Sequence, residues 1–118
     1  GKVLKVIIET CLLTDEEIVK MTEICNETYV NFIKTSTGTL EGVKLDEIEL
    51  INKYKNDILE IKASGGIKTF EDANKMIEAG ATRIGTSHGV KIMTGKCNCN
   101  HGYCNCEEEC QCGHCEEE

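Results

Sequence analysis

Lys34 and Lys62 stand 28 residues apart in segments built on one pattern, FIKTSTG at residues 32–38 and EIKASGG at residues 60–66. Each segment sets a lysine in a short apolar run and follows it with small residues and a glycine. Lysine is among the side chains least often buried, so two in matching contexts raise the question of a chemical use. A lysine amine is a nucleophile only when neutral, and its reference pKa is roughly 10.4. Burial and a neighbouring positive charge both disfavour the ammonium form. An amine lowered in this way attacks a carbonyl to form a Schiff base. The protonated imine is an electron sink that allows an adjacent carbon–carbon bond to break or form. A competing reading has both lysines running along their own methylenes from strand ends to solvent. The small polar residues after each lysine, which leave room for a ligand, favour the chemical reading.

Two glycine-rich turns accompany the lysines, SGGIKT at residues 64–69 and GTSHG at residues 85–89. Backbone N–H groups at such turns, and at the start of a short helix, bind anions. Turns that only reverse the chain between strand and helix would look the same, and it is their pairing beside two lysines that points to a phosphate.

The elements that must position these groups follow from periodicity. KVLKVIIET is a continuous β-branched run, expected to be a strand buried on both faces. Thr14 and Glu17 form a capping box, and Ile18, Met21, Cys25 and Thr28 follow at helical spacing with Ile24 widening the stripe. VNFIKTS predicts a second strand. A glycine-bearing loop leads to a helix over residues 44–55 with Leu45, Ile48, Ile51 and Tyr54 on its inner side. ILEIKAS predicts a third strand. Thr69 caps a third helix, with Asp72 at its third position, Ala73, Met76 and Ile77 facing inward, and Gly80 at its end. ATRIGTS predicts a fourth strand, and HGVKIM opens a last helix. Strand and helix thus alternate four times, which implies a parallel sheet with right-handed crossovers. The step between the lysines is about one such repeat, so their strands should be neighbours and their side chains should lie side by side.

The chain has 118 residues, enough for one small domain. Its start at Gly1 suggests a processed or partial chain, and no stretch reads as a signal peptide or membrane span. Residues 97–118 hold six glutamates and no lysine or arginine, while the rest carries 13 basic and 15 acidic groups. A near-neutral body with an acidic appendage lacks the basic face of a nucleic-acid binder. Of nine cysteines, only Cys11 and Cys25 lie in the body. This fits a cytoplasmic protein better than a secreted disulfide framework.

These motifs together resemble deoxyribose-phosphate aldolase, a class I aldolase family with a (βα)8 barrel. The resemblance runs from LKVIIET through FIKTSTG and IKASGGIKTFEDANKMIEAGATRIGTS to about Ile92. It implies a partial TIM barrel over residues 1–95, four βα units corresponding to units five to eight of the barrel. It also implies the reversible cleavage of 2-deoxy-D-ribose 5-phosphate to D-glyceraldehyde 3-phosphate and acetaldehyde, with no metal or organic cofactor. On this resemblance Lys34 forms the Schiff base and Lys62 lowers its pKa. Gly65, Gly66, Gly85 and Ser87 hold phosphate, and Thr37 and Gly38 lie near the substrate. The family's proton-relaying aspartate belongs to the other half barrel and has no counterpart here. His88 departs from the small residue common in relatives, as a phosphate contact or a helix cap, and Tyr103 has no clear counterpart of the family's C-terminal tyrosine. An open half barrel exposes two edges and its inner face, so the expected partner is a second copy of the chain or a chain supplying the missing half.

Residues 96–118 form a separate tail. Cys97, Cys99, Cys104, Cys106, Cys110, Cys112 and Cys115, with His101 and His114, are ligand types for zinc or copper(I). The alternative function is therefore a metal-binding protein on an inactive aldolase fragment. A low-complexity tail that binds metal opportunistically has the same composition.

Overall fold

The computed structural model describes residues 1–94. The chain runs β1 (Lys5–Ile7), a 3-10 turn (Thr10–Leu12), α1 (Asp15–Thr28), β2 (Phe32–Lys34), α2 (Leu45–Tyr54), β3 (Glu60–Ser64), α3 (Phe70–Ala79), β4 (Arg83–Gly85) and α4 (Gly89–Thr94). The four strands make one sheet in the order β1-β2-β3-β4, every pair parallel. Strands adjacent in sequence are adjacent in space, as in one side of a barrel, and the architecture is a partial α/β barrel of four units.

Local chemistry sets the helix starts. The Thr14 hydroxyl accepts from Glu17 N–H at 3.2 Å, and the Glu17 carboxylate accepts from Thr14 N–H at 2.9 Å, completing the capping box. At α3 the Thr69 hydroxyl accepts from Asp72 N–H at 3.0 Å, while Asp72 reaches back to Lys68 N–H instead of Thr69. Gly80 ends α3, its N–H donating to the Ile77 and Met76 carbonyls.

The core lies between the sheet and the helices. Ile33, Ile61 and Ala63 project from one sheet face onto Ile18, Ile48 and Ile51, all fully buried. Three expectations need correction. The first strand is three residues long and not buried on both faces, since Val3 and Leu4 are exposed and Ile7 keeps 46% of its surface. Among the described residues it is an edge strand, paired only with β2, and its second face looks into the open side of the sheet. Leu45, Tyr54 and Ile77, expected to face inward, are exposed, as is Ile24. The helices touch one sheet, so each buries two or three side chains and no more. Thr22 takes the place expected of Thr28 on α1; it is fully buried because its hydroxyl donates to the Ile18 carbonyl at 2.8 Å.

Candidate active site

The register fixes which side chains share a face. Ile7, Lys34, Lys62 and Arg83 are direct partners across four strands. One layer below, Lys5 pairs with Phe32 and Phe32 with Glu60. Paired residues point the same way, so Lys5, Lys34, Lys62 and Arg83 all rise from the face opposite the helices. Phe32 is only 7% exposed although no helix covers it. Lys5 Nζ lies 5.4 Å and the Arg83 guanidinium 4.7 Å from its ring centroid, so cations roof the ring.

Lys34 and Lys62 are thus in register on adjacent strands at their C-terminal ends, as the spacing predicts. They line a cavity of about 650 Å³ together with Thr37, Gly38, Gly65, Gly66, Gly85 and Ser87. The cavity walls also include Ser64, Ile67, Lys68, Ile84, Thr86 and His88. Burial pushes the Lys62 amine below the ordinary lysine range, helped by the positive charges of Lys34, Lys5 and Arg83.

The small residues after the lysines have a use that sequence reasoning missed. Thr35, Ser36 and Ser64 are buried. The Thr35 hydroxyl donates to Ser64 O at 3.2 Å and accepts from Ser64 N–H at 3.1 Å. The Ser64 hydroxyl donates to Ser36 O at 2.8 Å and accepts from Ser36 N–H at 3.3 Å. Thr35 and Ser36 do not leave space for a ligand; with Ser64 they staple the ends of β2 and β3 where the ladder stops. This bonding holds the two lysine strands in fixed register.

Gly65 and Gly66 both adopt positive φ, +94° and +78°, which turns the chain sharply beside the cavity. Gly85 serves a different purpose. A Cβ there would lie 3.0 Å from Lys62 Cε and 3.0 Å from Ser64 Cβ, so the missing side chain is the room in which Lys62 stands. His88 donates its N–H to the Thr86 hydroxyl at 2.9 Å, and the Thr86 hydroxyl donates to Ile67 O at 2.6 Å. That relay ties the turn after β4 to the turn after β3. Sequence reasoning also missed Lys68, a third lysine on the cavity wall, and Glu9, whose carboxylate accepts two hydrogen bonds from Thr37. The alternation that exposes strand faces says nothing of loop residues.

No family model matches the chain. Over 96 residues it is 54% identical to the deoxyribose-phosphate aldolase of Dictyoglomus turgidum, which covers 80% of this chain and 44% of that protein. The chain is homologous to part of the deoxyribose-phosphate aldolases. It spans a little under half the length of the curated relatives it matches. Among solved structures, QR15, an aldolase, superposes with a TM-score of 0.72 at 53% identity, covering 75% of this chain and 40% of that one. The deoxyribose phosphate aldolase of Aeropyrum pernix, described as tetrameric, gives a TM-score of 0.72 at 33% identity over 79% of this chain and 41% of that one. The aldolase kinship therefore holds in sequence and in fold, and the barrel side described above is the aldolase-like part.

Among the described residues no three of His, Cys, Asp and Glu gather to hold a metal ion. The cysteine ligand set from Cys97 to Cys115, with His101 and His114, and Tyr103 lie outside the described residues. No helix among the described residues is long and apolar enough to cross a membrane.

Proposed function

We propose that the chain forms the Schiff-base side of a deoxyribose-phosphate aldolase, a cytoplasmic carbon–carbon lyase acting on 2-deoxy-D-ribose 5-phosphate. The observation that carries this reading is the in-register pair Lys34 and Lys62 lining one cavity with two glycine turns. The neutral amine of Lys34 adds to the aldehyde carbon of the open-chain sugar, and water leaves to give the protonated imine. The C3 hydroxyl gives up its proton, the C2–C3 bond breaks, and its electrons pass to the imine. D-glyceraldehyde 3-phosphate departs. The enamine left on Lys34 takes a proton at C2 and is hydrolysed to acetaldehyde and free lysine. Every step runs in reverse for synthesis.

Lys62 stands in register beside Lys34, and its own amine is lowered by burial and then by the charge of Lys34. Gly65, Gly66, Gly85 and Ser87 form the phosphate end, and Thr37 and Gly38 the sugar end. The chemistry needs no metal, organic cofactor, nucleic acid or membrane. The group that takes the C3 proton lies in the remaining barrel units and comes from a chain that carries them; a second copy of this chain would cover the open face without supplying that group. No observation among the described residues favours the metal-binding alternative.

The test traps the imine. The full chain is mixed with 2-deoxyribose 5-phosphate or acetaldehyde, reduced with borohydride and mapped by mass spectrometry. A reduced adduct on Lys34 that is lost in Lys34→Arg is the expected result. An adduct on Lys62 alone would move the nucleophile to the other lysine. A folded chain that forms no adduct with either compound would overturn the reading.

A further inference from the structure

Glu9 follows β1 in an unusual conformation. Ile8 N–H donates to Lys34 O at 3.0 Å and Thr10 N–H to Thr35 O at 2.9 Å. In a regular parallel ladder, donors two apart on one strand meet carbonyls two apart on the next. Here the carbonyls are one apart, so β1 ends with an extra residue. That residue is Glu9, in the left-handed region at φ 53° and ψ 67°, a conformation uncommon for side chains other than glycine, asparagine and aspartate. A bulge of this kind re-aims a side chain.

The side chain is re-aimed at Thr37. Glu9 Oε1 accepts from Thr37 N–H at 2.9 Å, and Oε2 accepts from the Thr37 hydroxyl at 2.6 Å. With its hydrogen committed to Glu9, the Thr37 oxygen can only accept from Thr39. It does so from the Thr39 hydroxyl at 2.9 Å and from Thr39 N–H at 3.3 Å. The hydroxyl is then saturated by this chain's own groups. Thr37 and Gly38 line the lysine cavity, and the hydrogen bonds from Thr37, with the charge of Lys34 adding to them, hold the Glu9 carboxyl below its ordinary range.

We propose that Glu9 is a positioning residue for the lysine site: its carboxylate closes the Thr37–Thr39 turn and fixes Thr37 and Gly38 as a wall beside Lys34. Thr37 then shapes the cavity with its backbone and methyl group while its hydroxyl serves as the lock. The effect on reaction rests on the aldolase reading, whereas the lock itself does not.

Two measurements on the full chain separate these parts. In a ¹⁵N-labelled sample the Thr37 amide proton should shift with pH in a single acid titration lying below the ordinary glutamate range, and the titration should vanish in Glu9→Gln. A Thr37 amide that ignores acid pH overturns the lock. Borohydride trapping on Lys34 should slow by roughly tenfold in Glu9→Gln and in Thr37→Val. The double variant should be no slower than the slower single variant. Thr37→Ser, which keeps the hydroxyl, should recover part of the rate lost in Thr37→Val, and this arm stands even if Glu9→Gln fails to fold. Wild-type trapping rates in folded Glu9→Gln and Thr37→Val overturn the positioning role. If the wild type itself forms no adduct, the aldolase reading falls together with the effect on reaction, and the Thr37 amide alone decides the lock.

Discussion

At the scale of the residue, the site is a crowding of like charges held by hydrogen-bonded neighbours. Lys62 carries the consequence. Its amine is lowered first by burial and then by Lys34, Lys5 and Arg83. A lysine with a lowered folded-state pKa binds fewer protons folded than unfolded between that value and about 10.4, so stability rises with pH in that window. Below the window its charge costs stability. Lys62→Met should therefore raise the melting temperature at neutral pH, by a few degrees at most because partly exposed charges are worth roughly 0–1 kcal/mol. The gain should shrink as pH approaches the ordinary lysine value, which melts across that range would show. The same variant should slow imine trapping on Lys34, since it removes the amine that stands in register beside it. Gly85→Ala tests the room left for Lys62. The lysine end is flexible and yields, but Ser64 Cβ does not, so a loss of about 1–3 kcal/mol by urea titration is expected, with slower trapping.

At the scale of the element, helix starts and core stripes do the positioning. Thr14 and Thr69 each accept a backbone N–H in the first turn. Thr14→Ala and Thr69→Ala should each cost about 1 kcal/mol. Thr69→Ala should also loosen the turn after β3 and slow trapping, which Thr14→Ala, remote from the cavity, should not; comparing the two separates capping from site geometry. Much of this level was legible. A threonine three residues before an acidic one announces a cap, and Ile18, Cys25, Ile48, Ile51, Ala73 and Met76 are buried as their spacing implies. The exceptions have one cause. Leu45, Tyr54 and Ile77 sit on the flanks of stripes read as wide, while a helix lying on a single sheet buries a narrow one. The strands came out shorter than their apolar runs because a ladder exists only where a neighbour pairs, and past Lys34 the side-chain bonds of Thr35 and Ser64 with each other and with Ser36 carry on the joint between β2 and β3.

At the scale of the whole molecule, the helix side of the sheet is packed and the opposite face is open. That face presents Lys5, Lys34, Lys62 and Arg83, and neither β1 nor β4 has an outer neighbour among the described residues. Such a face calls for a complementary, acid-bearing surface, which a second copy, presenting the same four cations, does not offer and a chain carrying the remaining barrel units would have to supply. If two copies nonetheless meet through this face, sedimentation of the full chain should show assembly that strengthens with concentration and with salt, which screens the repulsion between the like faces. Imine trapping per chain should rise in parallel. Equal trapping by a strict monomer at all concentrations would mean that the open side is sufficient for imine formation.

The sequence by itself determined the alternation of strand and helix, the parallel sheet and the pairing of Lys34 with Lys62. These follow from local periodicity and from a repeat length that places equal positions on adjacent strands. Only the tertiary structure decided that Thr35, Ser36 and Ser64 bind one another, that Gly85 is vacant for Lys62, and that Glu9 reaches Thr37. Each of these depends on atoms some 20 or more residues apart in the chain, and which of them meet is set by register and turn geometry, which no local pattern encodes.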